Sequence, residues 1–258
     1  ERYGLAPETR RLSSGDAAWW CVPAGAATTS AVLICHGRSR SRRWMLPLVG
    51  AVVGAGWPSL VFDFVHHGDG RWGPCSVGLR EALSVRAALE ELSGLGVRRV
   101  VVYGVSMGGA AAIRALSEAA PPLEVALLIT DGTFARLEEV FARTARRLRL
   151  PGWWQRATTW GAARVTGVPP AVVTPVTWIS GVRCPRVHLH GDRDWLVPVS
   201  SAGELAGAGQ PNGSVVLYPG LHDQPGLPAM QRLVLDHIAT ALWPQEIGST
   251  ATCPESTV

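Results

Sequence analysis

Apolar residues fall in short runs separated by polar and glycine-rich stretches, and the runs are of two kinds. AVLICHG (31–37), PSLVFDF (58–64), RRVVVY (98–103), EVALLIT (124–130), PRVHLH (185–190) and SVVLYPG (214–220) are compact and rich in β-branched residues. Such runs, apolar on both faces, predict parallel strands buried in a sheet. AAWWCV (17–22) is a shorter candidate strand. Between them lie segments of helical spacing: part of MLPLVGAVVGAG despite Pro47, then 76–92, AAAIRALSEA (110–119), SSAGELAGA (200–208) and LPAMQRLVLDHIATALW (227–243). In 76–92, Leu79, Ala82, Leu83, Val85, Leu89 and Leu92 share one face, and Ser76 is placed to cap it.

Strands that alternate with helices predict one α/β domain, a mostly parallel central sheet with helices on both faces. The alternation stops between Asp131 and Gly181. There FARTARRLRL, WWQRATTWGAARV and VPPAVVTP show many Arg and Trp residues and no strand. Residues from about 133 to 181 are expected to form a helical insertion over one edge of the sheet, and 244–258 a polar, frayed tail. Open parallel sheets place their sites beyond the carboxyl ends of the strands, so the loops there are the ones to inspect.

After RRVVVY comes GVSMGG (104–109), and then a helical segment. A serine in G-x-S-x-G between strand and helix occupies a strained turn in which neighbouring side chains must be small. Ser106 is the candidate nucleophile, and an alcohol needs a base within hydrogen-bond reach. Of the four histidines that follow, His188 and His190 lie in a strand and His237 in the last helix. His222, in the loop after LYPG, is the candidate base. The base needs a carboxylate, which HGDRDWLVP offers at Asp192 or Asp194, with Asp131 a further alternative at the end of its strand.

These landmarks, in this order, resemble the α/β-hydrolase superfamily, its serine esterases and acyl hydrolases with a short helical lid. The resemblance runs from about Ala17 to Trp243. Its acid loop commonly reads H-G-x-x-D-x-x-V-P, which implies Asp194 as the acid and leaves Asp192 to cap the turn. Cys35-His36-Gly37-Arg38 matches the superfamily's oxyanion loop and implies Arg38 and Met107 as backbone donors, with His36 ordering the loop or touching substrate. The resemblance implies a carboxylic ester or thioester substrate and an acyl-enzyme, with no metal or organic cofactor. The same scaffold also serves biosynthetic tailoring by acyl elimination, cyclisation or transfer, and binding without turnover.

Composition adds limits. The chain has 258 residues, 47% of them hydrophobic and 17% charged, enough for a substantial core. All 24 basic residues are arginine, and a net charge of +4 spread along the chain gives no nucleic-acid signature. No run reaches the ~18–20 apolar residues of a membrane span, so a cytoplasmic protein without membrane or nucleic-acid partners is expected. Five scattered cysteines form no CxxC pair. Arg38, Arg40, Arg42 and Arg43 crowd the oxyanion loop, and Arg143, Arg146, Arg147 and Arg149 the insertion. They form either a solvated surface or a site for an anionic substrate, Arg40 and Arg43 being the candidate contacts. Trp153, Trp154, Trp160 and Trp178 either line a pocket facing Ser106 or make the insertion's own core.

Overall fold

The structure, a computed structural model, describes residues 5–209 and 213–242, with Gln155 given as backbone only. Its elements run β1 (Glu8–Arg11), β2 (Ala17–Cys21), β3 (Ser30–Cys35), α1 (Leu46–Gly54), β4 (Ser59–Phe62), α2 (Ala82–Gly94), β5 (Arg99–Val105) and α3 (Met107–Glu118). There follow β6 (Glu124–Asp131), α4 (Leu137–Arg147), α5 (Gly152–Thr166), α6 (Pro175–Trp178), β7 (Arg186–Gly191), α7 (Ser200–Gly207), β8 (Ser214–Tyr218) and α8 (Pro228–Leu242). Short 3-10 turns flank α6 at Pro170–Val172 and Ile179–Gly181.

The sheet has eight strands in the order β1-β2-β4-β3-β5-β6-β7-β8. From β4 to β8 every pairing is parallel, while β1 and β2 run antiparallel at one edge. The apolar strands read from the sequence take these places because both faces are covered. Leu33, Leu60, Val102 and Leu128 pack with α2 and α3 on one side. Val32, Ile34, Val101 and Ile129 pack with α1 and α8 on the other.

Two elements differ from the sequence reading. β1 reads Glu-Thr-Arg-Arg, an exposed edge strand held by its register with β2, and no apolar alternation betrays it. The helix expected from residue 76 begins at Ala82. Val77 and Gly78 have φ of 59° and 119°, which no helix allows. The buried Glu81 carboxylate organises the turn by accepting from Ser76 N, Ser76 Oγ and Gly78 N. Ser76 does not cap α2: its hydroxyl accepts from Arg80 N in the turn before the helix, and the N-cap position falls on Glu81. Pro47 sits in the first turn of α1, where its missing N–H has no helical partner to lose.

Between β6 and β7 the chain forms α4, α5, α6 and the 3-10 turns. Phe134, Leu137, Val168, Val173 and Val197 make a third apolar cluster beneath them, next to Ala110 of α3. The 244–258 tail lies outside the described residues. No helix among the described residues is long and apolar enough to cross a membrane.

β3 and α3 approach so closely that a Cβ on Gly108 would lie 2.3 Å from the Cys35 carbonyl oxygen, a backbone atom that cannot turn aside. Gly108→Ala should therefore lower the melting temperature sharply, an overpacking cost of about 1–3 kcal/mol or more, readable by calorimetry.

Candidate active site

Ser106 stands between β5 and α3 with φ 52° and ψ −115°, a conformation that L-residues rarely adopt. Its amide donates to Asp131 O at 2.8 Å, and its carbonyl accepts the first helical bond, from Ala110 N. Small neighbours make the turn possible. A Cβ on Gly104 would meet Gly108 and Gly109 backbone at 2.7 Å, and one on Gly109 would strike Thr133 Oγ1. The side chain is thereby presented at the carboxyl end of the central strand.

His222, in the loop between β8 and α8, places Nε2 3.1 Å from Ser106 Oγ. Its Nδ1 lies 2.6 Å from Asp194 Oδ2. Asp194 comes from the loop after β7, and its second oxygen accepts from Leu196 N at 2.8 Å and Val197 N at 2.9 Å. Thus the structure brings together Ser106, His222 and Asp194. Asp192 faces elsewhere: it accepts from Gly220 N at 3.1 Å and so braces the histidine loop.

The electrostatics suit proton transfer. Burial works against the imidazolium of His222. The hydrogen bond and charge of Asp194, with Asp223 and Asp131 nearby, outweigh burial and raise its pKa above the ordinary histidine value. Burial likewise works against the Asp194 carboxylate, but hydrogen bonds from His190 and His222 hold its pKa well below the usual range. Asp131 is not within this chain of bonds. It is buried among Tyr103 and Tyr218, whose hydroxyls donate to it at 2.8 and 2.9 Å. Burial pushes its pKa up to about 6 against those donors.

Several supporting residues escape sequence reasoning. His190 is fully buried, its Nε2 3.4 Å from Asp194 Oδ2 and 3.3 Å from Val197 O. Both neighbours accept, so Nε2 carries the proton and the ring holds the acid loop. Gly132 has φ 53°, and a Cβ there would lie 3.1 Å from His222 Nδ1 and 3.2 Å from Asp194 Oδ2. Only glycine leaves room for that pair. Asp223, with φ 57°, accepts from Arg40 Nε at 2.8 Å and Trp44 Nε1 at 3.2 Å, tying the histidine loop to the oxyanion loop. The glycine and aspartate are visible in the sequence, but their partners lie far along the chain.

Other expected contacts resolve differently. His36 has no exposed surface; Nδ1 bonds Gly37 O at 2.7 Å and Nε2 accepts from Phe64 N at 3.0 Å. It orders the Gly37–Arg38 turn and presents no surface to a ligand, and burial lowers its pKa to about 3. Arg40 is committed to Asp223 and stacks over Trp44 at 3.9 Å. Arg43 points to Asp69 at 3.6 Å, and Arg42 is buried between Asp63, Asp69 and the Trp19 ring. Trp154 lines a cavity shared with Ser106, whereas Trp153 does not. Trp178 packs half-buried on the main core, and Trp153 and Trp160 are exposed.

That cavity has a volume of about 360 Å³ and is walled by Val77, Phe134, Phe141, Ala145, Leu148 and Leu196, among others. Ser106, Arg38, Thr144 and Thr158 are its polar lining residues. Among the described residues, neither the Arg38 nor the Met107 amide donates a hydrogen bond, so both are available to a bound group.

A family model described as "Alpha/beta hydrolase family" matches residues 32–253, and the chain belongs to that family. The uncharacterized protein Rv2307c of Mycobacterium tuberculosis is 29% identical over 229 residues, covering 85% of this chain and 72% of that one. The uncharacterized protein YqkD of Bacillus subtilis is 27% identical over 183 residues, covering 69% of this chain and 59% of its own. Among solved structures, the esterase Pf2001 of Pyrococcus furiosus has the same fold with a TM-score of 0.72. It is 21% identical and overlaps 93% of this chain and 91% of its own. TT1662 of Thermus thermophilus is similar, with a TM-score of 0.64, 22% identity, and coverage of 93% and 99%.

If Asp194 alone serves His222, Asp194→Asn should lose about four orders of magnitude in kcat, while Asp131→Asn keeps most of it. Asp131 also carries a stability signature. A carboxyl whose pKa is raised on folding stabilises the fold below its unfolded value of about 3.9. That contribution is lost as pH rises through about 6. Melting curves of the parent protein should fall across this window relative to those of Asp131→Asn.

Proposed function

We propose that the chain is a serine hydrolase that cleaves esters of carboxylic acids bearing an apolar acyl chain, through an acyl-enzyme. The observation that carries this reading is the hydrogen-bonded series Ser106–His222–Asp194 opening onto an apolar cavity. Membership of the hydrolase family agrees with it.

In this mechanism His222 Nε2 takes the Ser106 proton as Oγ attacks the ester carbonyl. Asp194 keeps the Nδ1 proton in place and stabilises the imidazolium that forms. The Arg38 and Met107 amides receive the developing oxyanion, a contribution of about 2.7–4 kcal/mol for each such donor. The imidazolium then protonates the leaving alkoxide. Water, deprotonated by the same nitrogen, attacks the acyl-serine and frees the acid.

The cavity favours an apolar acyl group over an anionic one. Arg40 and Arg42 have carboxylate partners, and among the described residues Arg38 is the one arginine lining the cavity. Because its walls are mostly aliphatic and aromatic, chain length should govern the rate.

A series of p-nitrophenyl esters of increasing acyl length tests the reading. kcat/KM should climb with length until the cavity is filled, and rise with pH through a pKa above about 6.5, since His222 must be neutral to act. Ala145→Phe, which fills the cavity, should move the optimum to shorter acids and cost about tenfold or more on the longest. A rate independent of acyl length in both proteins would contradict the assignment of the cavity.

A further inference from the structure

We propose that the α4–α5 arm is a docking surface for anionic lipid membranes, set at the mouth of the Ser106 cavity. The proposal rests on the ester-hydrolase reading only for what the cavity receives; the docking surface stands on its own observations.

The first observation is charge. Between Glu139 and Asp192 the sequence contains no acidic residue, while Arg143, Arg146, Arg147, Arg149, Arg156 and Arg164 fall on the arm. Among the described residues none of these six has a carboxylate at ion-pair distance, whereas the arginines of the oxyanion loop from Arg40 to Arg43 each have one. Only Arg143 is turned inward, donating to the carbonyls of Trp195 and Asp194.

The second observation is exposed apolar surface among those charges. Trp153, Trp160 and Val165 are 63%, 65% and 81% exposed, and Leu148 and Trp154 are exposed beside them. α5 has no buried residue among those whose side chains are described. It packs against α4 and the 3-10 turn at Pro170–Val172. At helical spacing Trp153, Arg156, Trp160 and Arg164 form one outward stripe. The Arg164 guanidinium lies over the Trp160 ring at 5.1 Å, and the Trp153 and Trp154 rings meet edge to face at 5.4 Å. Tryptophan alternating with unpaired arginine matches a membrane interface, where rings enter the headgroup region and guanidinium groups meet phosphates.

The third observation is continuity with the site. Leu148 and Trp154 are exposed and also line the cavity that holds Ser106. A lipid acyl chain leaving the bilayer at this point would pass over apolar atoms into the cavity. Self-association through the arm is disfavoured, because a two-fold contact would set six arginines against one another with only Glu138 and Glu139, in the first turn of α4, to offset them. Nucleic acid would use the arginines and rings but gives no place to Leu148, Val165 or the apolar cavity. This reading departs from the expectation of no membrane partner, which rested on the absence of a spanning segment and says nothing of adsorption to a surface.

The test is sedimentation of the full chain with phosphatidylcholine vesicles that contain or lack phosphatidylglycerol, at low and high salt. Ser106→Ala is used throughout so that no lipid is cleaved. The chain should partition onto anionic vesicles about tenfold more strongly than onto neutral ones, and salt should weaken the partition. Two surface variants in this background, Trp160→Ser/Arg164→Gln and the charge-only Arg156→Gln/Arg164→Gln, should each lose about tenfold while keeping the parent melting temperature. Equal binding to both vesicle types, no binding to either, or unaltered binding by both variants would overturn the proposal. So would tighter binding to a single-stranded oligonucleotide than to vesicles, or a dimer that both variants abolish. Failure to bind vesicles by a chain that hydrolyses soluble esters sinks only the docking surface. Vesicle binding without hydrolysis by the parent chain sinks only the catalytic reading.

Discussion

The site depends on how closely the carboxyl end of β3 and the first turn of α3 approach each other across β5. Two backbones touch where Gly108 faces the Cys35 and His36 carbonyls, and Gly104 faces the start of the same helix. This contact holds Ser106 at positive φ and sets the Gly37–Arg38 turn beside it. Side chains at these glycines would force the serine turn and the Gly37–Arg38 turn apart. Strain at Ser106 persists because the surrounding sheet and helix overdetermine it.

A second layer of polar groups, most of them buried, fixes the candidate catalytic loops to that frame. His36 ties the oxyanion loop to Phe64 after β4, and Arg42 with Asp63 pins the next turn under Trp19. His190 and two backbone amides hold Asp194. Asp223, paired with Arg40 and Trp44, joins the histidine loop to the oxyanion loop. Arg143 reaches from α4 to the carbonyls of Asp194 and Trp195, so the helices between β6 and β7 touch the acid loop directly. Each loop is thus held by polar contacts made at a distance from the reacting bond.

Much of this was legible in the chain. Runs such as AVLICHG and RRVVVY announce buried parallel strands, and GVSMGG between strand and helix points to Ser106. Loops beyond strand ends point to His222 and leave Asp192, Asp194 and Asp131 open as the acid, and the resemblance to the superfamily's acid loop singles out Asp194. What was not legible depends on tertiary partners. β1 is polar and is made a strand only by pairing with β2. Arg40 looked free for a substrate because Asp223 lies far from it in sequence. Burial decides between the two readings open for His36, and for His190 only burial reveals that it braces a loop. The tryptophans of the insertion divide between cavity, core and solvent, a division that spacing alone leaves open.

The most direct test of the central claim is intact-mass and peptide mapping after exposure to an alkyl fluorophosphonate. These reagents modify a serine only when its hydroxyl is activated and an oxyanion site receives the phosphoryl oxygen. One adduct per chain, located at Ser106 and lost in both Ser106→Ala and His222→Ala, is the result predicted. An unmodified chain, or an adduct that persists in the His222 variant, would contradict an activated Ser106.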